Sequence, residues 1–288
     1  MMITHTPVMK KEILDFLADM SLGIVFDGTC GGGGHAKEIL CAHPEIVLYH
    51  ACDKDVYALQ KAGENLKEYT NKVSFLQTPF SSPPEGVFSA ILLDLGVSSF
   101  QLDNPERGFS FMKEGPLDMR MDQSQDFSAE DIVNTWSREA LAQLFFEYGE
   151  ERKSRQVAAF IVERRRKKRF TTTLDLAECV AKIVPRRGRA HPATQVFQAL
   201  RIAVNDELTT LHKAIVNLSG RLAQGGRMII LTFHSLEDRI VKHAFLELSR
   251  TGGFNLVIKK PLVPSRAEVI QNPRARSSKM RVLARATI

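Results

Sequence analysis

The sequence has no apolar run approaching the roughly 18 residues that a helix needs to cross a bilayer, so no membrane partner is expected. Its opening residues, MMITHTPVMKKEILDFLADM, lack the positive start, apolar middle and small-residue cleavage site of a secretion signal. Cysteine is scarce. Cys30, Cys41, Cys52 and Cys179 are scattered, with no CxxC pair and no zinc spacing, so no metal ligands are assigned. There are no internal repeats and no extended low-complexity segment. A cytoplasmic, reduced setting is the expectation.

What is present is ample for a core. The 288 residues are 44% hydrophobic and 25% charged, the balance of a globular chain with room for one large domain or two smaller ones. The net charge of +6 is unevenly placed. Between Arg152 and Arg189 there are 13 Lys or Arg against three acids, a local +10, so the remainder is about −4. One segment carries the whole basic excess. A solvated helix face explains such a run, and so does a nucleic-acid partner.

Along the chain, Met9 to Met20 has the apolar stripe of an amphipathic helix. The runs GIVFD, IVLYHACD, KVSFLQ and SAILLDLG read as buried strands, with helical patterns between the first three. That alternation predicts a parallel α/β sheet. From Gln101 to about His191 the rhythm stops. An acidic loop punctuated by Gly and Pro leads into four helical patterns, SAEDIVNTW, REALAQLFFEYG, SRQVAAFIVERRRKKR and TLDLAECVAKIV. A long helical pattern over Ala193 to Ala223 precedes a strong strand, GGRMIILTF, and a helix, HSLEDRIVKHAFLEL. NLVIKKPLV and KMRVLARA are expected to form a terminal hairpin. The organisation predicted is a Rossmann-like sheet domain of residues 1–104 and 193–288, interrupted by an all-helical domain of residues 105–192.

The stretch FDGTCGGGGHA, Phe26 to Ala36, joins the first strand to its helix with Gly31 to Gly34 in succession. Such a turn lets backbone N–H groups and a helix N-terminus approach a ligand. The P-loop pattern GxxxxGK[ST] fails, because Gly28 and Gly33 are followed by Gly34 and His35 in place of lysine and a hydroxyl. The dinucleotide pattern GxGxxG fails in register, which also argues against a nicotinamide-dependent oxidoreductase. An acid at the strand end, glycines in the turn and a second acid closing the next strand fit S-adenosylmethionine (SAM), with Asp27 and Asp53 as the acids. In that arrangement Asp53 accepts the ribose hydroxyls, and the amides of Gly33, Gly34 and His35 meet the amino-acid portion. Asp94, closing SAILLDLG, sits where open α/β sheets place ligands. A lone acid there also forms turns, and no Asn/Asp-Pro-Pro-aromatic motif accompanies it.

In order along the chain come HTPVMKKE, DGTCGGGGHA, ILLDLGVSSFQLDNPERGFSFMKEGPLDMRMD, YGEERKSRQVA, HPATQVFQALRIAVNDEL, FHSLEDRIVK and NPRARSSKMRV. Together these closely resemble the MraW/RsmH family, from His5 to Val282. The resemblance implies a class I SAM methyltransferase sheet with an inserted helical RNA-recognition domain. It implies methyl transfer from SAM to the exocyclic N4 of a decoding-centre cytidine in bacterial 16S rRNA of the small ribosomal subunit. Carried over to this chain, Gly33, Gly34 and His35 hold SAM, Asp53 its ribose and Phe80 its adenine, with Asp94 and Gln101 completing the cofactor site. Asp118, Arg120 and Asp122 are candidates for substrate contacts or an ion-paired scaffold. Asp94 is the first candidate to accept an amine hydrogen, and His234 a second, unless His234 caps the helix that follows. A ribosome-assembly factor that binds RNA without chemistry is the rival disfavoured by the intact glycine loop. Oligomeric state stays open, a homodimer among the options. Gln195 departs from the family's usual arginine, and the segment before NPRARSS is shorter than in many members.

Overall fold

The computed structural model describes residues 7–287 other than Arg187 and Arg189. His5 of the first motif and two arginines of the basic segment therefore lie outside the described residues. The chain forms two compact units, Met1–Gly96 with Leu208–Ile288, and Val97–Glu207.

In chain order the first unit begins with α1 (Lys10–Leu17), β1 (Ile24–Asp27), α2 (Gly34–Ala42), β2 (Leu48–Asp53), α3 (Val56–Asn65), β3 (Val73–Gln77) and β4 (Phe88–Asp94). The second unit supplies α4 (Ser99–Asp103), α5 (Ala129–Thr135), α6 (Arg138–Glu147), α7 (Ser154–Arg165), α8 (Thr173–Ala181) and α9 (Thr194–Asn205). The first unit then resumes with α10 (Leu211–Gly220), β5 (Leu222–Thr232), α11 (Ser235–Arg250), β6 (Phe254–Leu256), α12 (Arg266–Gln271) and β7 (Lys279–Arg285). No helix among the described residues is long and apolar enough to cross a membrane.

The sheet order is β3-β2-β1-β4-β5-β7-β6. The first five strands are parallel, and β7 runs antiparallel to both β5 and β6. This is the Rossmann-like α/β sheet that the alternating runs predict. Period-two alternation sends successive side chains to opposite faces, and both faces are covered. Val25, Leu92, Ile229 and Leu231 join one core with Ile39 and Leu40 of α2. Phe26, Ile91, Leu93 and Ile230 join another with Leu211, Ile215, Val241 and Phe245 of α10 and α11. The carboxyl ends of β1, β2 and β4 are Asp27, Asp53 and Asp94.

Two expectations change in detail. The helical pattern over Ala193 to Ala223 is two helices, because Asp206 takes a left-handed conformation (φ 49°) at the end of α9. α9 buries Val196, Phe197, Ala199 and Leu200 in the core of the second unit, which is why that unit runs on to Glu207, past residue 192. The terminal strands do pair antiparallel, but β6 stops at Leu256 and α12 intervenes before β7. Pro261 and Pro264 lack the N–H a continuing strand would donate. Val257 N–H still donates to the Val282 carbonyl, and Leu262 rejoins the ladder by bridging to Met280.

In the helical unit, side chains cap α5, α6 and α8: Ser128, Ser137 and Thr172 each accept an N–H from the first turn that follows. One core collects Leu141 and Phe145 of α6, Val157 and Ile161 of α7, Leu176 and Val180 of α8, and Leu200 of α9. The basic run at the end of α7 divides into two kinds of residue. Arg165 donates to the carbonyls of Val133 and Trp136, both at 2.7 Å, closing the end of α5. Arg164 pairs with Asp175 and lies 4.2 Å over the ring of Phe170. Arg166, Lys167, Lys168 and Arg169 are exposed. Replacing Arg165 with Ala removes two charge-assisted hydrogen bonds and should cost about 1–3 kcal/mol. Replacing Lys167 with Ala should change stability by less than about 0.5 kcal/mol. Urea unfolding checks both, and equal midpoints for the two variants would contradict the division.

Candidate active site

The turn between β1 and α2 is built for close approach. A Cβ on Gly28 would stand 2.6 Å from both Leu93 Cδ2 and Phe80 Cβ, so no side chain fits there. Gly31 and Gly33 take φ of 53° and 78°, which other residues rarely adopt. The turn is tied to the end of β2. Cys30 N–H donates to the Cys52 carbonyl at 2.8 Å, and Gly31 N–H to Asp53 Oδ2 at 2.9 Å. Asn65 Nδ2 donates to the Gly32 carbonyl at 2.8 Å from the end of α3. No side chain caps α2, whose N-cap is Gly33. Its first-turn N–H groups, from Gly34 and His35, are left facing outward from the helix end, where the helix dipole favours negative charge.

Three carboxylates flank this turn, each differently employed. Asp27 is buried and accepts from Tyr49 Oη at 2.9 Å and Thr29 N–H at 3.2 Å. Burial pushes its pKa up to about 7, against the pull of the Tyr49 hydroxyl. Asp53 accepts Gly31 N–H on one oxygen and Asp55 N–H, at 2.9 Å, on the other. Burial raises its pKa to about 6, with the backbone amides of Asp55, Gly31 and Lys54 opposing. Asp94 is held by its backbone N–H, which donates to Thr29 Oγ1 at 2.6 Å. Its Oδ2 lies 3.5 Å from His35 Nε2. His35 Nε2 and Asp94 Oδ1 are buried atoms without a hydrogen-bond partner. Such groups are costly to bury and uncommon in native structures.

The structure thus gathers Gly33, Gly34, His35, Asp53, Phe80 and Asp94 in the sheet unit around one turn. Phe80, partly buried, packs beside Gly28 just beyond β3. Gln101 belongs to the helical unit, where its Oε1 accepts Ser98 N–H at 2.8 Å and closes a capping box on α4. His234 is the N-cap of α11: its Nδ1 accepts Glu237 N–H, and Glu237 reaches back to the His234 N–H. The capping role open to it in the sequence is the one it fills. Asp118, Arg120 and Asp122 form a scaffold. Arg120 grips Asp118 with two side-chain bonds of 2.8 Å and also donates to the Gln125 carbonyl. Asp122 accepts from the Ser124 N–H and hydroxyl. The residues that sequence reasoning misses are Thr29, Tyr49 and Asn65, together with the His35 side chain.

Asp27 gives a pH test of this packing. Folding raises its pKa from 3.8 to about 7, so its contribution is fully present below pH 3.8 and is lost as pH rises through 7. Asp27→Asn keeps an acceptor for Thr29 but cannot ionise. Between pH 5 and pH 8 the wild type should therefore lose on the order of a few kcal/mol relative to Asp27→Asn, read from urea midpoints. Parallel pH profiles for the two proteins would show that Asp27 is not held neutral.

Comparison with known proteins places this turn in a whole-chain likeness. A model of the MraW methylase family matches residues 2–286. The protein named Ribosomal RNA small subunit methyltransferase H of Trichormus variabilis is 47% identical over 284 residues, covering 97% of this chain and 91% of that one. Its namesake in Halothermothrix orenii is 44% identical over 308 residues and 99% of each chain. The one in Persephonella marina is 42% identical over 294 residues, 99% of this chain and 100% of that one. Both units and every residue of the glycine turn fall inside these matches, and the chain belongs to the MraW methylase family.

Proposed function

We propose that this chain transfers a methyl group from S-adenosylmethionine to the exocyclic N4 of a decoding-centre cytidine in bacterial 16S rRNA. The observation that carries the proposal is the uncapped start of α2 beside the Asp53 carboxylate, with His35 Nε2 and Asp94 Oδ1 lacking hydrogen bonds among the described residues. The relatives' name, which speaks of small-subunit ribosomal RNA, supports the substrate.

The residues suit the cofactor. The N–H groups of Gly33, Gly34 and His35 would receive its carboxylate, Asp53 its ribose hydroxyls and Phe80 its adenine, with Asp94 completing this part of the site. When bound, SAM supplies an electrophilic methyl group. The chain's task is then alignment and proton handling. A cytosine amine is a weak nucleophile because its lone pair is delocalised into the ring. A carboxylate accepting one amine hydrogen favours the tetrahedral form and stabilises the positive charge that develops. Asp94, its side chain partly exposed, would accept that hydrogen, and His35 beside Oδ2 would hold the carboxylate in place. The cytidine must leave its stack to enter. The helical unit, with exposed Arg166 to Arg169, would meet the surrounding phosphates.

Two substitutions separate binding from chemistry. Asp53→Ala should weaken SAM binding about 10-fold or more by calorimetry, as expected for loss of hydrogen bonds to a charged group. Asp94→Asn should lower turnover on 16S rRNA by about 100-fold or more while changing SAM affinity much less. Unchanged affinity in the first would remove Asp53 from the site. Equal losses of affinity and turnover in the second would reduce Asp94 to a cofactor ligand.

A further inference from the structure

One helix of the helical unit begins against its own electrostatics. α7 has no acid in its first turn, which carries Arg155 just after Arg152 and Lys153, whereas α6 opens with Arg138 beside Glu139. A helix N-terminus behaves as about half a positive charge, so cations there cost roughly 0.3–1 kcal/mol each. Lys153 offsets part of this by donating to the Ile183 carbonyl at 2.9 Å. Arg138, Arg152 and Arg155 have no ion pair or hydrogen bond among the described residues. Helix stability does not account for them.

An exposed aromatic ring accompanies these charges. Phe145 of α6 is fully buried, whereas Phe146 is 64% exposed. Phe146 lies eight residues after Arg138 and four after Ala142, on the same stripe of α6. Together with Gln143 and Gln156, Arg138, Phe146, Arg152 and Arg155 line an open groove of about 790 Å³. That volume suits a nucleotide-sized group. Glu139 is the one acid on its walls, so the groove is strongly positive.

A flat apolar face among unpaired arginines matches a polyanion that carries flat apolar groups. We propose that this groove is a binding site for single-stranded RNA, with Phe146 stacking on an unpaired base and Arg138, Arg152 and Arg155 contacting the flanking phosphates. The proposal rests on the reading of RNA as this chain's substrate, and it adds where and how a strand is held. A duplex hides its base faces within the stack, whereas a single strand offers them to an aromatic side chain. An acidic peptide would satisfy the arginines and leave the ring uncovered.

The test uses the full chain, a fluorescein-labelled single-stranded oligouridylate, and the same backbone made abasic, with affinity read by anisotropy across a salt series. Phe146→Ala should weaken oligouridylate binding about 5- to 100-fold, the range for loss of one stacked base, without changing the salt slope. It should leave the abasic probe unaffected, and Phe146→Trp should retain binding. Arg152→Gln with Arg155→Gln should lower the slope by about 1.4 on both probes, at about 0.7 per phosphate contact on a single strand. All three side chains are exposed, so melting temperatures should match the wild type. Equal binding of both probes by Phe146→Ala and wild type would overturn the proposal, as would tighter binding of polyglutamate than of oligouridylate. If neutralising Arg166 to Arg169 abolishes RNA binding while the groove variants keep it, the groove falls and the RNA substrate stands. If the wild type binds no RNA, both fall together.

Discussion

The candidate site depends on how a glycine turn is held still. Glycines give the backbone between β1 and α2 its left-handed positions, but they supply nothing to fix it. The fixing is done by the neighbouring strand. Gly31 donates to the Asp53 carboxylate and Cys30 to the Cys52 carbonyl, so the turn is fastened to the end of β2. Asp27 braces its start through Thr29, and Thr29 in turn accepts from Asp94 at the end of β4. Three strand ends are thereby locked to one loop. The helix that follows begins with its N–H groups uncommitted, because every fastening lies before it.

This arrangement carries an electrostatic cost that the structure leaves partly unrelieved. Asp27 is deeply buried and Asp53 partly so, and the hydrogen bonds they accept come from a tyrosine hydroxyl and backbone amides. Their pKa values rise to about 7 and about 6, so ionisation near neutral pH is resisted by desolvation. For Asp27 the shift reflects a structural brace. For Asp53 it accompanies the anchoring of the glycine turn through Gly31. The Asp94 and His35 pair is a third case, with buried atoms lacking partners.

Much of this was legible in the residues. Buried runs closing in Asp27, Asp53 and Asp94 mark the strand ends at which a doubly wound sheet collects its ligands. The register of the glycines separates the turn from triphosphate and dinucleotide loops. The capping of α4 by Ser98 and Gln101 has a visible local signature, serine followed three residues later by glutamine. Other features depend on tertiary register. Tyr49 reaches Asp27 because β1 and β2 run parallel with Val25 opposite Tyr49, a pairing absent from any local pattern. His35 meets Asp94 from 59 residues away in sequence by that same strand order. The basic run read as uniform charge, yet Arg164 and Arg165 are spent inside the helical unit and only their successors face solvent. Local periodicity also merged α9 and α10, since one left-handed aspartate leaves both helical stripes intact.

The central claim is that the fastened glycine turn and Asp94 serve methyl transfer to a cytidine amine. The most direct measurement is incubation with methyl-labelled SAM and small-subunit rRNA lacking the modification, then digestion to nucleosides and mass spectrometry. The account predicts label in N4-methylcytidine alone, mapping to one decoding-centre position. Label on a ring carbon, on a ribose or on another base would contradict it.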